Sequence, residues 1–274
     1  MNGWEPWIGR VTKTSAWLDP VQANHMSATL DRDPRFTAGD ALPPAWHWLY
    51  FHDIVRASDL GVDGHPRLGV TMPPVPLARR MWAGGTLLFE EPLRLGATVE
   101  RISTIRSITP KKGRTGHLFF VTVEHDFHTE GRRNVLEHQT IVYREMSATA
   151  DIPAAQPAPS DAAFSARWSL DSTALFRYSA LTFNGHRIHY DADYCREVEG
   201  YPDIVIHGPL IATLLLDLAV RERRPVDRFT YRAQSPLFRS NTFTVNGRPD
   251  GAGTTLWAAN DAGNLAMQAE AVAA

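Results

Sequence analysis

Between Tyr178 and Asp191 the chain carries Asn184, His186, Arg187 and His189, and His207 follows 18 residues after His189. An imidazole titrates near ~6.5, so it can take up and return a proton at neutral pH. Asn184 offers hydrogen bonds in both directions but no titratable proton. His207, Gly208 and Pro209 open the most apolar run of the chain. Proline just inside its start marks a helix N-terminus, where free N–H groups favour an anion or a developing oxyanion. Such a set suits proton transfer beside a carbonyl oxygen that gains negative charge. Two other readings stand beside it: a capped turn whose polar groups bond to backbone, and a three-histidine zinc site of His186, His189 and His207.

Side chains with these duties need a rigid mount. Gly208–Glu222 is apolar almost all round until its charged end, which predicts a helix buried against a sheet. A weaker amphipathic helix is expected over Val21–Leu30, stopped by Asp31, Arg32, Asp33 and Pro34. In Leu118–Phe127 and Asn134–Tyr143, β-branched and aromatic residues recur between turn signals, as half-buried antiparallel strands require. A helix and an antiparallel sheet in each half give an α+β fold. The stretch 146–165, rich in Pro, Ala, Ser and Asp, reads as an extended connector between an N-terminal unit, 1–145, and a C-terminal unit, 166–274. Pro92, Leu93 and Thr98 match Pro236, Leu237 and Thr242 at one offset, and Asn134 matches Asn264 at a shorter one. An internal duplication would produce that pattern.

Composition narrows the function. The 274 residues carry 28 basic and 30 acidic side chains, a formal charge of −2, which leaves no global field for nucleic acid or anionic lipid. No apolar stretch reaches the ~20 residues that cross a bilayer, and MNGWEPWIGR has neither the basic start nor the apolar core of a signal peptide. The single cysteine, Cys195, allows no internal disulfide and no cysteine zinc cluster. A cytoplasmic protein is expected, with no nucleic-acid or membrane partner. Trp46, Trp48 and Trp82 read as core or pocket wall rather than as a stacking platform for bases.

The stretch NGHRIHYD (184–191) resembles the hydratase motif of MaoC-like and (R)-specific enoyl-CoA hydratases, roughly G-D-x-N-P-I-H. Aligned on Ile188 and His189, the family's catalytic His falls on His189, its catalytic Asp on Asn184, its Asn on His186 and its Pro on Arg187. The variant N-x-H-R-I-H-Y-D is similar to the FAS1-like dehydratase subgroup, which includes mesaconyl-C4-CoA and itaconyl-CoA hydratases. PPAWHWLYF (43–51), DGHPRLGVTMPPVPLARRMWAGG (63–85) and KKGRTGHLFFVTVEHD (111–126) look like the same subgroup. The resemblance implies a double hot-dog fold, two sheets each wrapped on a helix and joined edge to edge, with one active site in the second half.

Several expectations follow from that resemblance. His189 transfers the proton, Asn184 orients water or substrate, and the Gly208 N–H faces the thioester oxygen. Asp191 either orients the His189 ring or caps a helix. Tyr178, His186 and Arg187 line the substrate, and Arg79 or Arg80, interrupting an apolar context, holds an acid group. The expected reaction is hydration of a short carboxylated unsaturated acyl-CoA. No cofactor or metal is needed, coenzyme A being part of the substrate. The expected assembly is a homo-oligomer, a dimer first. The rivals are a 3-hydroxyacyl-thioester dehydratase of fatty-acid metabolism, a hot-dog thioesterase using Asp217, and a non-catalytic acyl-binding module.

Overall fold

A computed structural model describes residues 3–113, 116–145, 152, 154–222 and 226–273. Among them the chain forms one antiparallel sheet of ten strands, β1 Val11–Trp17, β2 Arg79–Phe89, β3 Thr98–Gly113, β4 Gly116–Thr129, β5 Arg132–Arg144, β6 Phe164–Ser169, β7 Arg228–Ala233, β8 Thr242–Asp250, β9 Gly253–Asn260 and β10 Leu265–Val272. Four α-helices accompany it: α1 Pro20–Thr29, α2 Ser172–Leu181, α3 Ala192–Glu197 and α4 Gly208–Arg221.

The strand order carries the duplication. It runs β1-β3-β4-β5-β2 and then β7-β10-β9-β8-β6, so either outer edge read inward gives the same pattern. The halves meet where β2 pairs with β7, from Gly84 opposite Arg232 to Leu88 opposite Arg228. Leu93 and Leu237, matched in the sequence, are both buried just before β3 and β8 open at Thr98 and Thr242. The strands expected at 118–127 and 134–143 form as the cores of β4 and β5. β6 opens at Phe164, inside the segment expected to be connector, because Phe164, Ala166 and Trp168 alternate with polar residues and pack against the core. The remainder of that segment includes residues 146–151 and 153, which lie outside the described residues.

α4 forms where the apolar run predicts it and packs on β7, β8, β9 and β10. Leu210, Leu214, Leu215, Leu216 and Leu218 are all at most 1% exposed, and burying each such side chain contributes roughly 1.5–3 kcal/mol before chain entropy is subtracted. The helix is therefore a firm mount for Gly208, its first residue. Among the described residues the first half has no counterpart of this length. Its α1 starts on Pro20, capped by Asp19, whose carboxylate accepts the Val21 N–H, and it packs against α2. Between α1 and β2 the chain is irregular apart from short 3-10 turns. Trp46, Leu49 and Phe51 from this segment join the core with Phe127 and Val135, while Leu68, Met72 and Leu77 cover Ile105, Val121 and Ile141. That irregular segment leaves room for a cavity between the halves. Among the described residues no helix is long and apolar enough to cross a membrane.

Candidate active site

The cavity holds about 560 Å³, within the ~300–1,000 Å³ typical of small-molecule sites. Tyr178, Asn184, His186, His189 and Gly208 from the second half line it together with His65, Arg80, Trp48 and Trp82 from the first. The polar cluster read from the sequence thus converges on one space, and the first half supplies part of its wall.

His189 lies in a 3-10 turn, Arg187–His189, that follows α2. Its Nδ1 stands 2.8 Å from the Val205 carbonyl oxygen. A carbonyl can only accept, so Nδ1 carries the hydrogen and donates it. The neutral ring then presents a bare Nε2, which has no hydrogen-bond partner among the described residues. Burial holds the imidazole down at about 4, partly offset by that same backbone bond, so at neutral pH the ring is a base waiting for a proton.

Rings run continuously around it. Tyr178 meets His207 edge-on at 4.8 Å, His207 stacks on His189 at 3.8 Å, His186 meets His189 edge-on at 5.5 Å, and His65 leans on His186 at 4.2 Å. His207 sits behind the cavity wall, fully buried, with Nε2 bonded to Ser179 Oγ at 2.8 Å. Burial holds His65, His186 and His207 well below the ordinary imidazole value. Arg80 adds to this at His65 and, after His189, at His186; at His207 the neighbouring imidazoles add to it. Among the described residues no three His, Cys, Asp or Glu side chains are placed to hold a metal ion.

Asn184 Oδ1 accepts the His186 N–H at 3.0 Å. Its oxygen is thus occupied by its own turn, and the free Nδ2 is the group left to donate into the cavity. Gly208 opens α4 on the cavity wall, and the helix itself cannot satisfy the N–H of its first residue. A Cβ there would lie 2.8 Å from Trp82 Cε3, so only glycine lets the helix start this close to the indole.

The three arginines separate. Arg79 is buried and donates through Nε to Glu199 Oε2 at 2.6 Å, so this guanidinium is committed inside the protein and does not reach the cavity. Arg187 also stays off the cavity wall. It is partly exposed, bonded to Asp191 Oδ2 at 2.7 Å and to the Val62 carbonyl at 3.1 Å, and lies over the Tyr194 ring. Arg80 does line the cavity, and no carboxylate among the described residues pairs with it. Asp191 caps α3 by accepting the Tyr194 N–H at 2.9 Å and holds Arg187, so its carboxylate does not orient the His189 ring.

His65 is the functional candidate the sequence reading missed. It reaches the site because Gly64 and Gly185 touch backbone to backbone: a Cβ on Gly64, whose φ is +83°, would lie 1.9 Å from the Gly185 oxygen. The Arg187 N–H also donates to the Asp63 carbonyl at 2.8 Å. Asp63, Gly64, His65 and Pro66 open the 63–85 stretch that resembles the subgroup and carry a turn signal, but nothing local tells that the turn docks on the second half.

The family model for hydroxyacyl-thioester dehydratase type 2 matches residues 45–239 of this chain. The mesaconyl-C(4)-CoA hydratase of Chloroflexus aurantiacus is 42% identical over 271 residues, covering 97% of this chain and 96% of that protein. Among solved structures, a MaoC-like dehydratase from Phytophthora capsici superposes with a TM-score of 0.71 at 14% identity, covering 100% of this chain and 98% of that one. A Mycobacterium tuberculosis protein described as having a double hotdog fold superposes at 0.59 with 13% identity, covering 96% and 95% of the two chains.

Proposed function

Because the chain belongs to the hydroxyacyl-thioester dehydratase type 2 family and has its double hot-dog fold, we propose that it hydrates, reversibly, a short unsaturated acyl-CoA that bears a free carboxylate. Mesaconyl-C4-CoA, giving citramalyl-CoA, is the substrate that fits best. Arg80 carries this reading: it is a cation on the cavity wall with no carboxylate partner among the described residues, beside the Tyr143 hydroxyl, and its charge is felt by His65 and His186, next to His189. In mesaconyl-C4-CoA the free carboxylate sits on the very carbon that receives the hydroxyl, so its counter-cation belongs beside the catalytic imidazole.

The steps balance with one water. His189 Nε2 takes a proton from water as the oxygen bonds to the β-carbon. The alkene electron pair moves toward the thioester, and the oxygen that gains charge faces the Gly208 N–H at the start of α4. The proton on Nε2 then passes to the α-carbon. Asn184 cannot share in proton transfer, so its free amide hydrogens orient the water. This route requires a double bond conjugated with the thioester. Mesaconyl-C4-CoA has one; in itaconyl-CoA the alkene lies one carbon further away, which favours the former.

The rivals fit less well. A thioesterase would need a carboxylate on α4, and its single acidic residue, Asp217, is bonded to Arg32 at 2.8 Å and faces away from the cavity. A fatty-acid dehydratase shares the chemistry but has no carboxylate on its acyl chain to pair with a cation, whereas Arg80 lines this cavity. Each charge-assisted hydrogen bond from a guanidinium is worth about 1.5–3 kcal/mol. Arg80→Gln is therefore expected to lower the ratio of kcat/KM for mesaconyl-C4-CoA over crotonyl-CoA by roughly 10- to 100-fold. Steady-state kinetics on both thioesters measure it, and an unchanged ratio would reject Arg80 as the carboxylate partner.

A further inference from the structure

Trp82 belongs to β2 in the first half, yet its indole lies against Gly208 in the second. A bulge follows it in the pairing with β5, where the register shifts between Trp82 and Gly84, and bulges commonly re-aim a neighbouring side chain. The indole stacks on Tyr231 at 4.4 Å with planes 15° apart, and Trp48 meets both rings edge-on at 5.7 Å and 6.1 Å. Trp48 is itself pinned: its Nε1 donates to both Glu137 oxygens at 3.1 Å. Glu137 is 1% exposed, and His47 Nε2 stands 3.3 Å from the same carboxylate. Burial would raise that carboxyl, but the His47 and Trp48 hydrogen bonds and the neighbouring imidazoles hold it below its ordinary value, so it stays a carboxylate.

The wall is placed for shape rather than for bonding. Trp82 Nε1 and the Tyr231 hydroxyl are both buried without a hydrogen-bond partner among the described residues. Met81, Val123, Phe127 and Ile141, on strands of the first half, also line this cavity and form its first-half lobe.

We propose that Trp82, braced by Tyr231 and by the Trp48–Glu137 bond, is the steric gate that sets acyl length in this site. This gate rests on the hydratase reading and on geometry. Gly208 faces the thioester, so the ring touching Gly208 flanks the carbons next to it and blocks the first-half lobe to a longer chain. Shrinking the ring opens the lobe. One methylene in an apolar pocket discriminates by roughly 10- to 200-fold.

The test is a series, Trp82→Phe, Trp82→Leu and Trp82→Ala, assayed with crotonyl-CoA and trans-2-hexenoyl-CoA. The readout is the ratio of kcat/KM for hexenoyl over crotonyl, which does not depend on the fraction of folded enzyme. The ratio is expected to climb as the ring is cut down, by about tenfold or more for the smallest side chain that still folds. A ratio that stays flat or falls across the series, in an enzyme whose wild type is active, would overturn the gate alone. Wild-type protein that hydrates none of the enoyl thioesters would overturn the hydratase reading, and the gate with it.

Discussion

Replacing His189 with alanine is expected to lower kcat by roughly two to four orders of magnitude, the usual loss when a general acid–base group is removed. Its Nδ1 bond to Val205 fixes the tautomer and leaves Nε2 bare, the atom that carries the proton in the proposed reaction. The pH profile gives an independent readout. The base form is the neutral ring, and protonation below its pKa abolishes it. Burial holds that pKa at about 4, so kcat/KM should stay level from neutrality down toward pH 5 and fall only near 4. An acid limb at the ordinary imidazole value near ~6.5 would contradict the buried, neutral His189. Asn184→Ala should cost less than His189→Ala, because it removes an orienting donor and no proton transfer. A folded His189→Ala variant with near wild-type turnover would end the assignment.

Gly208→Ala has the second largest expected effect, a fall in kcat of roughly 10- to 100-fold without loss of the fold. The added carbon would meet Trp82 Cε3 at 2.8 Å. The indole cannot simply swing away, since it is stacked on Tyr231 and braced by Trp48. The start of α4 must yield instead, and it carries the N–H away from the thioester oxygen. Adding Trp82→Ala removes the obstacle, so the double variant should recover part of the loss. Such coupling is what contacting residues show in a double-mutant cycle. Steady-state kinetics on the two single variants and the double variant measure it, and strict additivity would mean that the two residues do not press on each other.

The sequence announces the parts of this molecule that local chemistry dictates. An apolar run behind His207 and Pro209 is enough to place α4, and Asn184, His186, His189 and Gly208 reach the same cavity. The cap role of Asp191 was one of two readings, and its bond to the Tyr194 N–H selects it. Arg79 and Arg80 looked alike because adjacent positions share a context. Side chains alternate across a strand, so on β2 one turns to Glu199 and the other to the cavity. Glu199 lies 120 residues from Arg79, and no spacing rule reveals such a partner. The same distance problem hides His65 and the Trp48–Glu137 brace. The first depends on the Gly64–Gly185 backbone contact between the halves, and the second on a 3-10 turn facing a strand 89 residues further on within the first half.

The central claim is that this site adds water to a carboxylated, thioester-conjugated alkene. The most direct measurement incubates the wild-type protein with mesaconyl-C4-CoA and resolves the products by chromatography and mass spectrometry. The expected result is conversion to a species heavier by one water, citramalyl-CoA, without release of free coenzyme A, at a kcat/KM above that for trans-2-hexenoyl-CoA. Mesaconyl-C4-CoA left intact while the hexenoyl thioester is hydrated, or free coenzyme A as the product, would contradict it.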